Sequence, residues 1–124
     1  MAFHFHKDRD IYIAQQESNA SAYVIPFIEK ALSIDKELRV MEVGCGEGGV
    51  LKAFLNRGCT GVGIELLKGK AERAKQTLQE EIDTGRAVVM NKNIYDIDVK
   101  YDLEVLFDLI ILKDVIEHIH DQDG

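Results

Sequence analysis

Cysteine occurs twice in the 124 residues, at Cys45 and Cys59, proline once, at Pro26, and tryptophan not at all. Two thiols are too few for a disulfide framework, and both are expected to stay reduced. No apolar run approaches the length that spans a bilayer, and Met1-Ala2-Phe3-His4-Phe5-His6-Lys7 lacks the apolar stretch of a secretory signal. A cytoplasmic location without membrane attachment is the expectation. Lys and Arg total 15 against 22 Asp and Glu, a formal charge of −7. That balance argues against the basic face of a nucleic-acid binder. The small group Lys68, Lys70, Arg73 and Lys75 shares its predicted helix with Glu72 and Glu80, as a solvated face does. Internal repeats, low-complexity tracts and linkers are also missing. With 46% hydrophobic and 30% charged residues, the chain has the composition of one soluble unit with no room for a second domain.

What the chain does have is Val40-Met41-Glu42-Val43-Gly44-Cys45-Gly46-Glu47-Gly48-Gly49, a short apolar run that stops at a glycine cluster. Arg39 to Val43 has the length and β-branched content of a buried strand, and Val50, Leu51, Phe54 and Leu55 then recur at helical spacing. Gly44, Gly46 and Gly49 satisfy G-x-G-x-x-G at the strand-to-helix turn. Small residues there let the backbone turn tightly and approach a ligand, with the N–H groups of the next helix aimed at it. A nucleotide-like cofactor is the occupant this predicts. Two carboxylates refine the prediction. Glu65 closes the run Thr60-Gly61-Val62-Gly63-Ile64 about twenty residues downstream, where a carboxylate can accept both hydroxyls of a ribose. Glu42 stands inside the apolar strand, two residues before Gly44, where it needs a hydrogen-bonding or cationic partner. A pyrophosphate would be repelled there, and a cationic ligand favoured.

At these residues the chain resembles the class I S-adenosylmethionine-dependent methyltransferases, from about Arg39 to Asp121. Glu42 to Gly48 is similar to the first motif of that family, Gly63-Ile64-Glu65 to the second and Asn91-Lys92-Asn93-Ile94-Tyr95-Asp96 to the third. The run from Phe107 to Ile119, with Glu117 and His118 near its end, is similar to the fourth. Within the family, the small-molecule branch that includes ubiquinone-biosynthesis O-methyltransferases looks nearest. The resemblance implies an α/β, Rossmann-like, doubly wound parallel sheet. It also implies S-adenosylmethionine as cofactor, held by Glu42, Gly44, Cys45, Gly46, Gly48, Glu65, Leu66, Asn93, Ile94, Leu112 and Lys113. Asn93 departs from the Asp more common at its position, although an amide can still bond the adenine edge.

Along the chain, Met1 to Asp10 shows no period and reads as an arm. Tyr23, Val24, Phe27, Ile28, Ala31 and Leu32 predict a helix, with Ser18, Asn19 and Ser21 as candidate caps and Pro26 either starting its main segment or kinking it. In the resembled family such an upstream segment often roofs the site, which would bring Tyr12, Gln15 and Gln16 to substrate; Tyr12 packing in a satellite cluster is the plainer reading. Gly58 is the expected helix stop after Phe54 and Leu55. The second strand starts at Cys59 or Thr60, and a helix follows over Leu67 to Ile82 with Ala71, Ala74, Leu78 and Ile82 on one face. Ala87 to Met90 reads as a third strand, Asp96 to Glu104 as a loop or short helix, and Leu106 to Leu112 as a fourth strand covered on both faces. Four strands of the family's seven are thus expected. Residues 1–38 form an arm and helix, and residues 39–124 the cofactor-binding part of a domain whose remainder is missing.

Methyl transfer to a hydroxyl needs a base, and a histidine suits that task near neutral pH. His118, and after it His120, are the candidates beyond the fourth strand; Asp108, near the start of that strand, reads as a strand-edge carboxylate. His4 and His6 do not complete a metal site with them, since no Cys or carboxylate spacing fits, so no metal is expected. Cys45 beside a helix N-terminus has a possible thiolate role, against the simpler role of a small residue in a tight loop. The acceptor predicted is a small molecule, with oligomeric state left open. The competing readings are an NAD-dependent oxidoreductase, opposed by Glu42 and by the long helical segment before the glycines, and a cofactor-binding module without catalysis.

Overall fold

The computed structural model describes residues 2–96 and 107–112, with side chains from Asp8 onward. Helix α1 runs Ala2–Asn19, a π turn follows at Ala20–Val24, and α2 covers Ile25–Ile28. Strand β1 is Arg39–Val43, α3 Gly49–Asn56, β2 Thr60–Ile64, α4 Lys68–Thr77, α5 Gln79–Asp83, β3 Ala87–Met90 and β4 Leu109–Ile111. The four strands form one parallel sheet in the order β3-β2-β1-β4, with Met41 facing Val62 on one side and Ile110 on the other. Strand order reverses between β1 and β4, so the cleft beyond their carboxyl ends is where this architecture binds ligands.

Helices α3 and α4 pack on one face of the sheet. Leu51, Phe54 and Leu55 of α3 and Ala71 and Ala74 of α4 join Val40, Ala87 and Val89 in the main core, which Leu109 and Ile111 border. Gly61 keeps α3 close: a Cβ there would lie 3.0 Å from Leu51 Cδ1. The opposite face carries a smaller cluster of Met41, Val43, Val62 and Ile64, bordered by Met90, Ile94 and Phe107. Coverage of β4 on both faces is not what the described residues show, since Ile110 is 53% exposed. Among the described residues β4 ends the sheet, and Ile110 lies on the face where none of these helices packs. At the start of that strand the Arg39 N–H donates to Asp108 Oδ2 at 2.9 Å, and the Asp108 N–H returns to the Arg39 carbonyl. That backbone hydrogen bond first, and the Arg39 guanidinium second, hold the Asp108 carboxyl below its usual range. The pair therefore supports the β1–β4 register at ordinary pH and fades as pH falls through the lowered value.

The N-terminal segment corrects the sequence reading. Residues 2–10 belong to α1 and are not an arm, and Ser18 and Asn19 lie in the helix without capping it. Tyr23 and Phe27 are largely exposed rather than part of the core. What defeats the periodicity is how α1 attaches: among its described side chains Ile13 is the deeply buried apolar one, and other contact is polar, as in the 2.6 Å bond from Asn56 Nδ2 to Glu17 Oε1. Pro26 stands in the first turn of α2, directly after the π turn. Having no N–H, it cannot continue the i−4 ladder. The chain widens to a π turn closed by Ile25 N–H on the Ala20 carbonyl, and α2 begins around the proline. The helix predicted over Leu67 to Ile82 is broken at Leu78, whose φ of −104° and ψ of 17° separate α4 from α5.

Helix α1 lies directly on the start of α3. A Cβ on Gly49 would stand 2.7 Å from both Gln16 Cβ and the Ile13 carbonyl oxygen. Gly49→Ala gains at most about 1 kcal/mol of helix propensity and loses about 1–3 kcal/mol to overpacking. Packing wins on this balance, so the variant is expected to unfold at lower urea concentration than the parent; an unchanged or higher midpoint would show that α1 yields freely.

Candidate functional site

The loop between β1 and α3 turns on three glycines in the left-handed region, Gly44 (φ 75°), Gly46 (φ 57°) and Gly48 (φ 91°). A side chain would strain each of them. The loop folds back over β2: the N–H groups of Gly44 and Cys45 donate to the Ile64 carbonyl at 2.8 and 3.1 Å. Cys45 packs against β2 at Gly63, where a Cβ would meet its Sγ at 2.8 Å. Cys45 and Cys59 are both buried free thiols, and burial pushes the Cys59 thiol up. A small residue filling a tight loop accounts for Cys45. Gly48 makes room for α4, with Ala74 Cα 3.4 Å from where its Cβ would be. Gly49, the last glycine of G-x-G-x-x-G, is small because of α1 and not because of a ligand.

Glu65 stands just beyond β2, 5% exposed. Its Oε1 accepts from the Gly46 N–H at 2.8 Å and its Oε2 from the Leu67 N–H at 2.9 Å. The carboxylate thus ties the glycine loop to the end of β2. Each oxygen keeps a second lone pair, which is the capacity needed to accept two neighbouring hydroxyls. Asn91, beyond β3, donates its amide to the Glu65 and Leu66 carbonyls at 2.8 and 3.0 Å, so three strand ends are cross-linked around one carboxylate. Glu42 is 1% exposed in β1, level with Gly63 and Ile111.

Leu66 is exposed, Asn93 is exposed and Ile94 half-buried at the exit of β3, and Leu112 follows β4. All sit at the carboxyl ends of their strands, with Glu42, Gly44, Cys45, Gly46 and Gly48 at the end of the neighbouring β1. Asn93 also serves its own turn, its Oδ1 accepting the Tyr95 N–H at 3.0 Å. Lys113, His118 and His120 lie outside the described residues, as does most of the segment expected as a loop over Asp96 to Glu104. So do the side chains of His4 and His6. Among the described residues no cluster of metal-ligating side chains occurs, and no helix is long and apolar enough to cross a membrane.

The sequence pattern of a methyltransferase domain matches residues 15–124. The chain belongs to that methyltransferase domain family. No curated protein matches it significantly. Its fold is similar to that of magnesium protoporphyrin IX methyltransferase from Synechocystis, crystallised with bound S-adenosylmethionine; identity is 19%, coverage 84% of this chain and 46% of that one, and TM-score 0.60. A methyltransferase from Thiobacillus denitrificans in complex with S-adenosylhomocysteine matches at 21% identity, 77% and 34% coverage, and TM-score 0.54. A protein from Pyrococcus horikoshii, provisionally named an RNA methyltransferase, matches at 18% identity, 76% and 42% coverage, and TM-score 0.60. This methyltransferase domain therefore spans less than half the length of these three solved structures.

Two features of the site were not in the sequence reading. Arg73, expected on a solvated face, is half-buried and reaches Asp10 on α1 and Glu47 in the glycine loop. Arg9 approaches the same Glu47, with Nε 3.1 Å from Oε2, and its guanidinium stacks 4.9 Å over the Tyr12 ring. The only sequence signal was Glu47 itself, a carboxylate between two glycines. Tyr12 also accepts from Gln16 Nε2 at 3.0 Å, which agrees with the plainer packing role.

Proposed function

We propose that this methyltransferase domain binds S-adenosylmethionine and serves methyl transfer to a small-molecule acceptor, as in the branch that includes ubiquinone-biosynthesis O-methyltransferases. The single observation that carries the reading is Glu65. A buried carboxylate with one backbone donor on each oxygen, facing a glycine loop, has the remaining acceptors for the two hydroxyls of a ribose. Glu42 adds selectivity: a second buried carboxylate at the same strand ends disfavours the pyrophosphate of a dinucleotide and suits the ammonium and sulfonium of S-adenosylmethionine. Gly44, Cys45, Gly46 and Gly48 would line the ligand with backbone. Leu66, Asn93 and Ile94 would take the adenine side, and Leu112 and Lys113 the methionine side.

The cofactor supplies an electrophilic methyl group on sulfur, and the contribution of the chain is geometry. Glu65 would hold the ribose, and through it would orient the methyl group toward the acceptor. Alignment with the acceptor atom can supply most of the acceleration in an in-line displacement. For a hydroxyl acceptor, His118 is proposed as the base that removes the proton, with His120 second. Calorimetric titration with S-adenosylmethionine, S-adenosylhomocysteine and NAD tests the cofactor. Binding of the first two without NAD is the expected result; NAD alone would replace this reading by that of an oxidoreductase. Binding of S-adenosylmethionine without turnover on any hydroxylated acceptor would favour a module that does not catalyse.

A further inference from the structure

Glu47 is the charged member of the glycine loop. Only 4% of it is exposed, and guanidinium groups from two elements meet its carboxylate. Arg9 of α1 makes a forked contact, one nitrogen on each oxygen, and Arg73 of α4 stands 3.8 Å from Oε2. Arg73 is in turn paired with Asp10, one residue along α1. Four charges thus join α1, α4 and the loop. A guanidinium fork on a carboxylate, as Arg9 makes here, fixes geometry as well as adding energy.

We propose that Glu47 is a positioning residue for the cofactor, acting through the loop rather than on the ligand. This rests on the S-adenosylmethionine reading. Its two neighbours are Gly46 and Gly48, both in the left-handed region and without side chains to restrain them. The Gly46 N–H is the group that donates to Glu65 Oε1. With Glu47 clamped, that N–H is aimed at Glu65, and the carboxylate is held where a ribose would meet it. Helix α1 thereby becomes part of the cofactor site through Arg9.

The test is calorimetric titration of the full chain with S-adenosylhomocysteine, at a temperature where every variant is folded. Glu47→Gln keeps the shape and removes the charge; its dissociation constant is expected to rise about tenfold, close to 1.4 kcal/mol. Arg9→Gln should act in the same direction, Arg9→Lys, which keeps the charge but not the fork, should fall between the parent and Arg9→Gln, and the double variant Arg9→Gln/Glu47→Gln should bind no worse than Glu47→Gln. Parent-like affinity in Glu47→Gln and Arg9→Gln overturns the proposal, as does simple addition in the double variant. Amide hydrogen exchange on the ligand-free chain separates the two readings. Faster exchange at Gly46 and Gly48 in Glu47→Gln, with β1 to β3 unchanged, supports the clamp even if the parent binds no S-adenosylhomocysteine, a result that would sink the cofactor reading alone. Unchanged exchange in the loop sinks the clamp.

Discussion

Glu65→Ala is expected to weaken binding of S-adenosylhomocysteine at least a hundredfold, with the protein still folded. Hydrogen bonds to a charged acceptor contribute about 1.5–3 kcal/mol each. Two ribose hydroxyls lost together therefore amount to about 3–6 kcal/mol, between two and four decades in the dissociation constant. The same deletion frees the Gly46 and Leu67 N–H groups that the carboxylate now engages. The loop then loses its tie to β2, which adds to the loss. Glu65→Gln is the sharper probe: its one amide oxygen can serve only part of the four acceptor sites, so an intermediate affinity is expected. Titration of both variants checks this, and an affinity for Glu65→Ala within threefold of the parent would place the ribose elsewhere.

The second large effect concerns stability. Lys52 of α3 reaches Glu81 of α5, with Nζ 2.6 Å from Oε2 and 2.9 Å from Oε1. Glu81 is 4% exposed, and among the described residues no other cation pairs with it. Lys52→Met keeps the length of the stem and deletes the charge, leaving a buried carboxylate alone. Breaking a buried pair from one side costs about 3–5 kcal/mol; Lys52 is itself partly exposed, so about 3 kcal/mol is expected, read as a lower urea midpoint. The double change Lys52→Met/Glu81→Leu should recover most of it, because the penalty belongs to the stranded charge and not to the lost attraction. A single variant as stable as the parent would show that water reaches Glu81.

The sheet was legible because its strands obey simple rules. Arg39–Val43 and Ala87–Met90 were bounded to the residue, since apolar β-branched runs flanked by Gly, Asn or charged residues leave little choice. Gly58, at φ 96°, ended α3 as its chemistry requires. The predicted site residues that lie among the described residues were gathered at the strand ends by topology alone, because parallel strands deliver all their carboxyl ends to one side. What was illegible is what ion pairs build. Helix α1 has no apolar stripe to read, and Arg9, Asp10, Glu47 and Arg73 are far apart in sequence, so nothing local marks them as partners. The break at Leu78 escaped for a related reason. Leu78 lies beneath Gly48, with Cγ 3.5 Å from where a Cβ would be, and only the packed structure shows that the turn and the glycine fit one another.

One consequence of the tether between Glu65 and Gly46 concerns entropy. A glycine-rich loop that had to order on contact with its ligand would subtract about 1–2 kcal/mol per residue from the affinity. Here the ends of β1, β2 and β3 are already laced together by Glu65 and Asn91 in the free chain. The conformational toll is met during folding, when the burial of Leu51, Phe54 and Leu55 is there to offset it. A ligand arriving later meets a glycine loop whose Gly46 N–H is already engaged by Glu65.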